Sequence, residues 1–129
     1  MIGVIGVGSM GLAMALRLLE KGQAVRVRDI DPSRAALAGA SGAEVAQTPA
    51  ALAGCELVIV AVVDGAQTRD VLFGAHGLAA TLAPGAAVML CPTIAPEDAV
   101  FCAAGLESRA IDWLDAPMSG GPNARVPAR

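Results

Sequence analysis

The 129-residue chain has no tyrosine, its only histidine is His76, and its only lysine is Lys21. These are among the side chains that most often carry protons between reacting groups near neutral pH, so acid–base candidates are scarce. Aromatic residues make up 2%. Positive charge is also sparse: the formal net charge is −3 and no basic cluster occurs, which argues against a nucleic-acid partner. No hydrophobic run approaches the roughly 18 residues that a membrane span needs, so no membrane insertion is expected. The chain opens directly on strand-forming residues, and a secretory leader is not expected. Cys55, Cys91 and Cys102 are odd in number and lack metal-ligand spacing. They read as reduced, mostly buried thiols of a cytoplasmic protein, with no metal site expected.

Glycine is plentiful, and residues 1–29 show how it is used. MIGVIGVGSMGLAMALRLLEKGQAVRVRD runs from an apolar strand through Gly6, Gly8 and Gly11 into an Ala/Leu-rich helix, then Gly22, then a second strand that ends in an acid. That layout is a dinucleotide-binding unit. Gly6 permits the tight turn, Gly8 admits a pyrophosphate close to the backbone, and Gly11 lets the helix pack on the sheet. The helix start offers free N–H groups and the positive end of its dipole. At the end of strand two, Asp29 is placed to accept both hydroxyls of an adenosine ribose, where a 2′-phosphate would meet a like charge. NAD is therefore favoured over NADP, although Arg28 is positioned to swing round toward a phosphate.

The elements continue in alternation. A first helix is expected from Ser9, as N-cap, to Lys21. Strand two spans 24–28, and Asp31-Pro32 opens a helix that ends near Gly39. A short strand at 43–46 is followed by a Thr48-Pro49 helix start. The run ELVIVAVV predicts strand four over 56–63, buried on both faces. A helix over 65–73, strand five over 87–91, a helix from Pro96 to about Leu106 and strand six over 110–114 complete the pattern. Right-handed crossovers then give an α/β, doubly wound parallel sheet, the Rossmann arrangement, with strand order 3-2-1-4-5-6 and a ligand at the carboxyl ends of strands one and four.

Oxidising an alcohol needs a base for the hydroxyl proton, and none is evident. His76 sits in a GAHGL stretch that reads as a surface loop. Lys21 lies about 20 Å along the helix from Gly8 at 1.5 Å per residue. Asp64 and Asp115 remain, without a visible partner to raise their pKa.

Four ordered motifs carry a resemblance: GVIGVGSMGLAMALRLLEKG, VIVAVV, CPTIAP at 91–96 and DAPMSGG at 115–121. The chain resembles, over about residues 2–122, the N-terminal NAD(P)-binding domain of the β-hydroxyacid dehydrogenases, the 3-hydroxyisobutyrate dehydrogenase family. DGAQTRDVLFG is most similar to the L-threonate dehydrogenase branch. The resemblance implies that Gly6, Val7, Gly8, Ser9, Met10 and Gly11 form the pyrophosphate loop and that Asp29 holds the ribose. It also implies that Val62, Val63 and Gln67 line the cofactor cleft and that Thr93 lies near the nicotinamide ribose. Ser119, Gly120 and Gly121 match the family's substrate-binding serine and glycines, Ser119 being the nearest to a catalytic residue that the chain offers. Departures are Pro92, where the family has Ser, Ile30, where NADP-using relatives often have Arg, and the stretch after Gly121.

The implied arrangement is a dinucleotide-binding domain over 1–121 and an irregular tail over 122–129. It is a single truncated domain, without the helical domain that holds the family's catalytic lysine and asparagine. The implied enzyme is an oxidoreductase that moves a hydride between a small 3-hydroxy acid, of the 3-hydroxyisobutyrate or threonate type, and NAD, with homo-oligomers possible. The isolated chain is expected to be inactive. Two readings stand against it: a non-catalytic nucleotide-binding or interaction module, and a reductase running the step in reverse with NADPH.

Overall fold

A computed structural model describes residues 1–117. Six short strands alternate with four helices: β1 (Ile2–Ile5), α1 (Ser9–Glu20), β2 (Val25–Arg28), α2 (Pro32–Ala40), β3 (Glu44–Val45), β4 (Leu57–Val60), α3 (Gly65–Phe73), β5 (Ala87–Leu90), α4 (Pro96–Glu107) and β6 (Asp112–Asp115). Short 3-10 turns occupy Pro49–Leu52 and Leu78–Ala80. The sheet order is β3-β2-β1-β4-β5-β6, with every pairing parallel. This is the doubly wound order expected from the sequence.

Alternation along the strands builds the two cores. In β1, Val4 packs on one face and Ile5 on the other; in β4, Ile59 goes with Val4, while Val58 and Val60 go with Ile5. One face receives Ala15 of α1 and Ala35 and Ala38 of α2. The opposite face receives Leu72 of α3 and Cys102 and Leu106 of α4. Fully burying a Leu or Val side chain contributes roughly 1.5–3 kcal/mol, so the two cores carry most of the stabilisation. Small alanines on the α1/α2 side allow close helix–sheet approach; larger leucines fill the α3/α4 side.

The helix ends follow their local chemistry. Asp31 caps α2 by accepting from the Ser33 N–H, with Pro32 at the first helical position. Gly22 and Gln23 close α1 by donating to Leu19 and Leu18 carbonyls. Ser9 is not the N-cap of α1: Gly8 takes that place, and no side chain caps the helix. The Thr48 cap is present, bonded to the Ala51 N–H, but it opens only a 3-10 turn.

Strand four is shorter than the hydrophobic run predicts, ending at Val60 rather than Val63. The Ala61 N–H makes the last bond toward β1, to the Ile5 carbonyl. Beyond that point β1 turns away at Gly6 and β5 has ended at Leu90, so Val62 and Val63 lie past the ladder on both sides. Hydrophobicity continues past the strand because the segment forms a cleft wall. The third and sixth strands also shift slightly, to Glu44–Val45 and Asp112–Asp115.

Candidate functional site

The turn between β1 and α1 is built on contacts that admit no side chain. Gly6 has φ +90°, and a Cβ there would collide with the Ala61 carbonyl; a Cβ on Gly11 would collide with the Gly6 carbonyl. Gly8 differs. It has an ordinary φ of −65°, and the nearest atom to a Cβ there is Arg34 Nη1, at 3.7 Å. The protein itself therefore leaves room for a side chain at Gly8, whose bare backbone lines the cleft. Together with the uncapped start of α1, it offers donors and a positive dipole end to an anion.

Asp29 ties this turn to the sheet. Its Oδ2 accepts from the Val7 N–H and its Oδ1 from the Asp31 N–H, both at 2.8 Å. It is 8% exposed, a braced carboxylate rather than a solvated turn acid. A carboxylate has about four acceptor positions, so each oxygen keeps capacity for a further donor. The brace is invisible in the sequence, because it depends on the parallel register of β1 and β2.

Two adjoining lobes lie at the carboxyl edge of the sheet. The larger, about 370 Å³, is lined by Gly6 and Gly8 at one end and by Asp29 and Ile30 along β2's exit, with Val63 and Gln67 opposite. The smaller, about 230 Å³, is lined by Met10, Met14, Cys91, Pro92 and Thr93. Ala61, Val62 and Val63 form a wall common to both. Ile30 is 88% exposed and Val63 79%; two apolar side chains thus stand in water on the rim of one lobe, suited to the faces of a flat ring.

The residues expected at the site divide by role. Gly6, Gly8, Asp29, Val62, Val63 and Gln67 line the larger lobe, while Met10 and Thr93 line the smaller. Ser9 is the exposed first residue of α1. Val7 does not line either lobe: its side chain is buried, and its N–H is committed to Asp29. Gly11 supports the turn from behind. Gln67 acts partly on its own wall, its Oε1 accepting from the Val63 N–H at 3.0 Å, while its N–H donates to the Asp64 cap. Ser119, Gly120 and Gly121 lie outside the described residues.

Several lining residues escaped the sequence reading. Arg34 and Thr48 reach the larger lobe from α2 and the 3-10 turn, and Asp70 reaches it from α3. Arg26 holds that turn in place by donating to the Ala51 and Ala53 carbonyls. His76 is exposed, as its loop suggests, yet it also edges the larger lobe. It does not line the smaller lobe with Thr93. Met14 had a legible signal, one helical turn beyond Met10 on the same face. Burial, with the Asp115 charge in second place, pushes the Cys91 thiol up. No cluster of potential metal ligands occurs among the described residues.

A parallel doubly wound sheet with an open glycine turn, a braced acid after β2 and a two-lobed cleft at its switch point defines a dinucleotide-binding domain. Comparison with known proteins gives the family. Residues 1–126 match the model of the NAD binding domain of 6-phosphogluconate dehydrogenase, and the chain belongs to that family. It is 39% identical over 121 residues to L-threonate dehydrogenase of Cupriavidus necator, covering 93% of this chain and 41% of the relative. The structure of 3-hydroxyisobutyrate dehydrogenase of Mycobacterium tuberculosis with L-serine superposes with a TM-score of 0.87 at 33% identity, over 94% of this chain and 41% of that one. A complex of Psf3 with NADP+ superposes with the same TM-score at 31% identity, over 95% of this chain and 44% of that one. The chain thus spans about 40% of the length of the curated relatives it matches. No helix among the described residues is long and apolar enough to cross a membrane.

Proposed function

We propose that this chain is the cofactor-holding part of a 3-hydroxyacid dehydrogenase. The observation that carries the reading is the open Gly8 backbone at an uncapped helix start, set between two lobes. In this reading the pyrophosphate lies against Gly8 and the first N–H groups of α1. Asp29 accepts the adenosine ribose hydroxyls, Ile30 and Val63 flank the base, and Thr93 faces the nicotinamide ribose. When bound, the nicotinamide supplies a hydride acceptor. The smaller lobe, walled by methionines, valines and Pro92, gives that end a lining of largely apolar side chains. Ser119, Gly120 and Gly121 would take the carboxylate and hydroxyl of the substrate, a small hydroxy acid of the threonate or 3-hydroxyisobutyrate type.

Among the described residues, the smaller lobe contains none suited to accept the alcohol proton. The Thr93 hydroxyl is a very weak base, and the Cys91 thiol is held protonated by burial. The proposed division of labour is therefore a binding domain over 1–121, with the proton-transfer group supplied from outside it and the protein in the cytoplasm. NAD is the proposed cofactor, since Asp29 meets a 2′-phosphate with a like charge and the Ile30 side chain offers it no donor; Arg28 and Arg34 edge the same lobe and temper that preference.

Calorimetry with NAD and NADP tests the binding, and nicotinamide absorbance with L-threonate or 3-hydroxyisobutyrate tests the chemistry. The expected result is NAD binding, weaker NADP binding and no measurable turnover by the isolated chain. Binding of neither nucleotide would refute the reading in favour of a protein-interaction module. The exposed Trp113 and Leu114 on β6 and Val100 and Phe101 on α4 would then be the place to look.

A further inference from the structure

α3 and α4 start side by side on one face of the sheet, and each is preceded by a loop that lines the smaller lobe. Ala61–Val63 leads into α3, and Cys91–Thr93 leads toward α4. The two helix starts are anchored differently. At α3, the Asp64 carboxylate accepts from the Gln67 N–H, and Gln67 Oε1 accepts from the Val63 N–H. At α4, the N-cap is Ala95, which has no side-chain acceptor, and Ala95, Pro96 and Glu97 are all exposed. The helix is not fully buried until Cys102.

Asp98 supplies the missing anchor. Its Oδ1 accepts from Arg69 Nε of α3 at 2.7 Å. Its carboxylate lies so close over Gly65, the first residue of α3, that a Cβ there would collide with it. The Arg69 guanidinium is in turn held 4.0 Å over the Phe101 ring of α4.

We propose that Asp98, held by Arg69, is a positioning residue for the cofactor. It ties the first turn of α4 to the start of α3, and so fixes Thr93 opposite Val62 across the smaller lobe. This inference rests on the dinucleotide reading above and assigns the tie to the nicotinamide end. The larger lobe takes no residue from the loop before α4, so the adenosine end meets the tie only through α3, which its own Asp64 cap and Gln67–Val63 bond hold in place.

The test is calorimetry of the chain and its variants with NAD and with ADP, which spans only the adenosine and phosphate positions. Asp98→Ala should weaken NAD by about tenfold, equivalent to about 1.4 kcal/mol, and leave ADP within about twofold. Asp98→Asn keeps an acceptor for Arg69 and should lose less. Gly65→Ala should weaken NAD in the wild-type background, because the new methyl meets the Asp98 carboxylate, but add little to Asp98→Ala. Contacting residues couple in stability as well, so the loss of NAD without loss of ADP is what separates positioning from a general loss of stability. Equal losses for NAD and ADP, additive effects, or full NAD affinity in a folded Asp98→Ala would overturn the positioning role while leaving the dinucleotide reading intact. Failure of the wild-type chain to bind either ligand would overturn both.

Discussion

Replacing Gly8 with alanine separates ligand binding from folding at one position. At φ −65° the backbone suits an L residue, and the new Cβ meets only Arg34 Nη1, at 3.7 Å, an ordinary contact. Two small effects on stability oppose each other. The stiffer unfolded chain gains about 0.4–1 kcal/mol, and alanine is a poorer N-cap than glycine by a comparable amount. The melting temperature should stay within about 4 °C of wild type. Cofactor affinity should not survive: a methyl forced into a close contact costs about 1–3 kcal/mol, or roughly tenfold to a hundredfold in Kd. Gly6→Ala makes the contrast, since its φ of +90° and the Ala61 carbonyl oppose any side chain; it should lower stability by about 2 kcal/mol or more. Thermal unfolding and calorimetry with NAD, run on the same preparations, read both quantities. Wild-type NAD affinity in Gly8→Ala, or its failure to fold, would refute the argument.

Three further outcomes follow from named contacts. Asp29→Asn leaves either the Val7 or the Asp31 N–H facing an amide N–H, and should cost about 1–3 kcal/mol in chemical denaturation; an unchanged midpoint would show the brace to be idle. Ile30→Arg places a cation at the ribose end of the larger lobe and should raise NADP affinity relative to NAD by about tenfold, read by paired calorimetric titrations. Burial pushes the Cys55, Cys91 and Cys102 thiols up, so the folded chain holds protons that the unfolded chain releases. Their contribution is complete below the unfolded thiol pKa and is lost as pH rises from about 9 through the folded values. Denaturation midpoints should fall above that pH, and they should fall less in Cys→Ala variants.

The sheet order was legible because strand patterns recur between helical or turn segments, several of which open on a signal such as Asp31-Pro32. The ends of the strands were not, because pairing and hydrophobicity are different things. Val62 and Val63 extend an apolar run, yet the strand stops where its partner turns away at Gly6. The same limit applies to the site. The glycines and Asp29 could be placed by spacing, and Thr93 and Gln67 by resemblance. Arg34, Thr48 and Asp70 reach the cleft only through the fold, as does the engagement of Val7's N–H by Asp29. The scarcity of tyrosine, histidine and lysine was readable from composition alone.

The central claim is that one cleft, divided at Ala61–Val63, takes a dinucleotide along the carboxyl edge of the sheet. Titrating the isotopically labelled chain with NAD and following its backbone amides by NMR tests this most directly. The account predicts saturable shifts at Gly6–Met10, Ile30, Ala61–Val63 and Thr93, with β6 and the outer face of α4 undisturbed. Shifts confined to β6 and α4, or none at millimolar NAD, would contradict it.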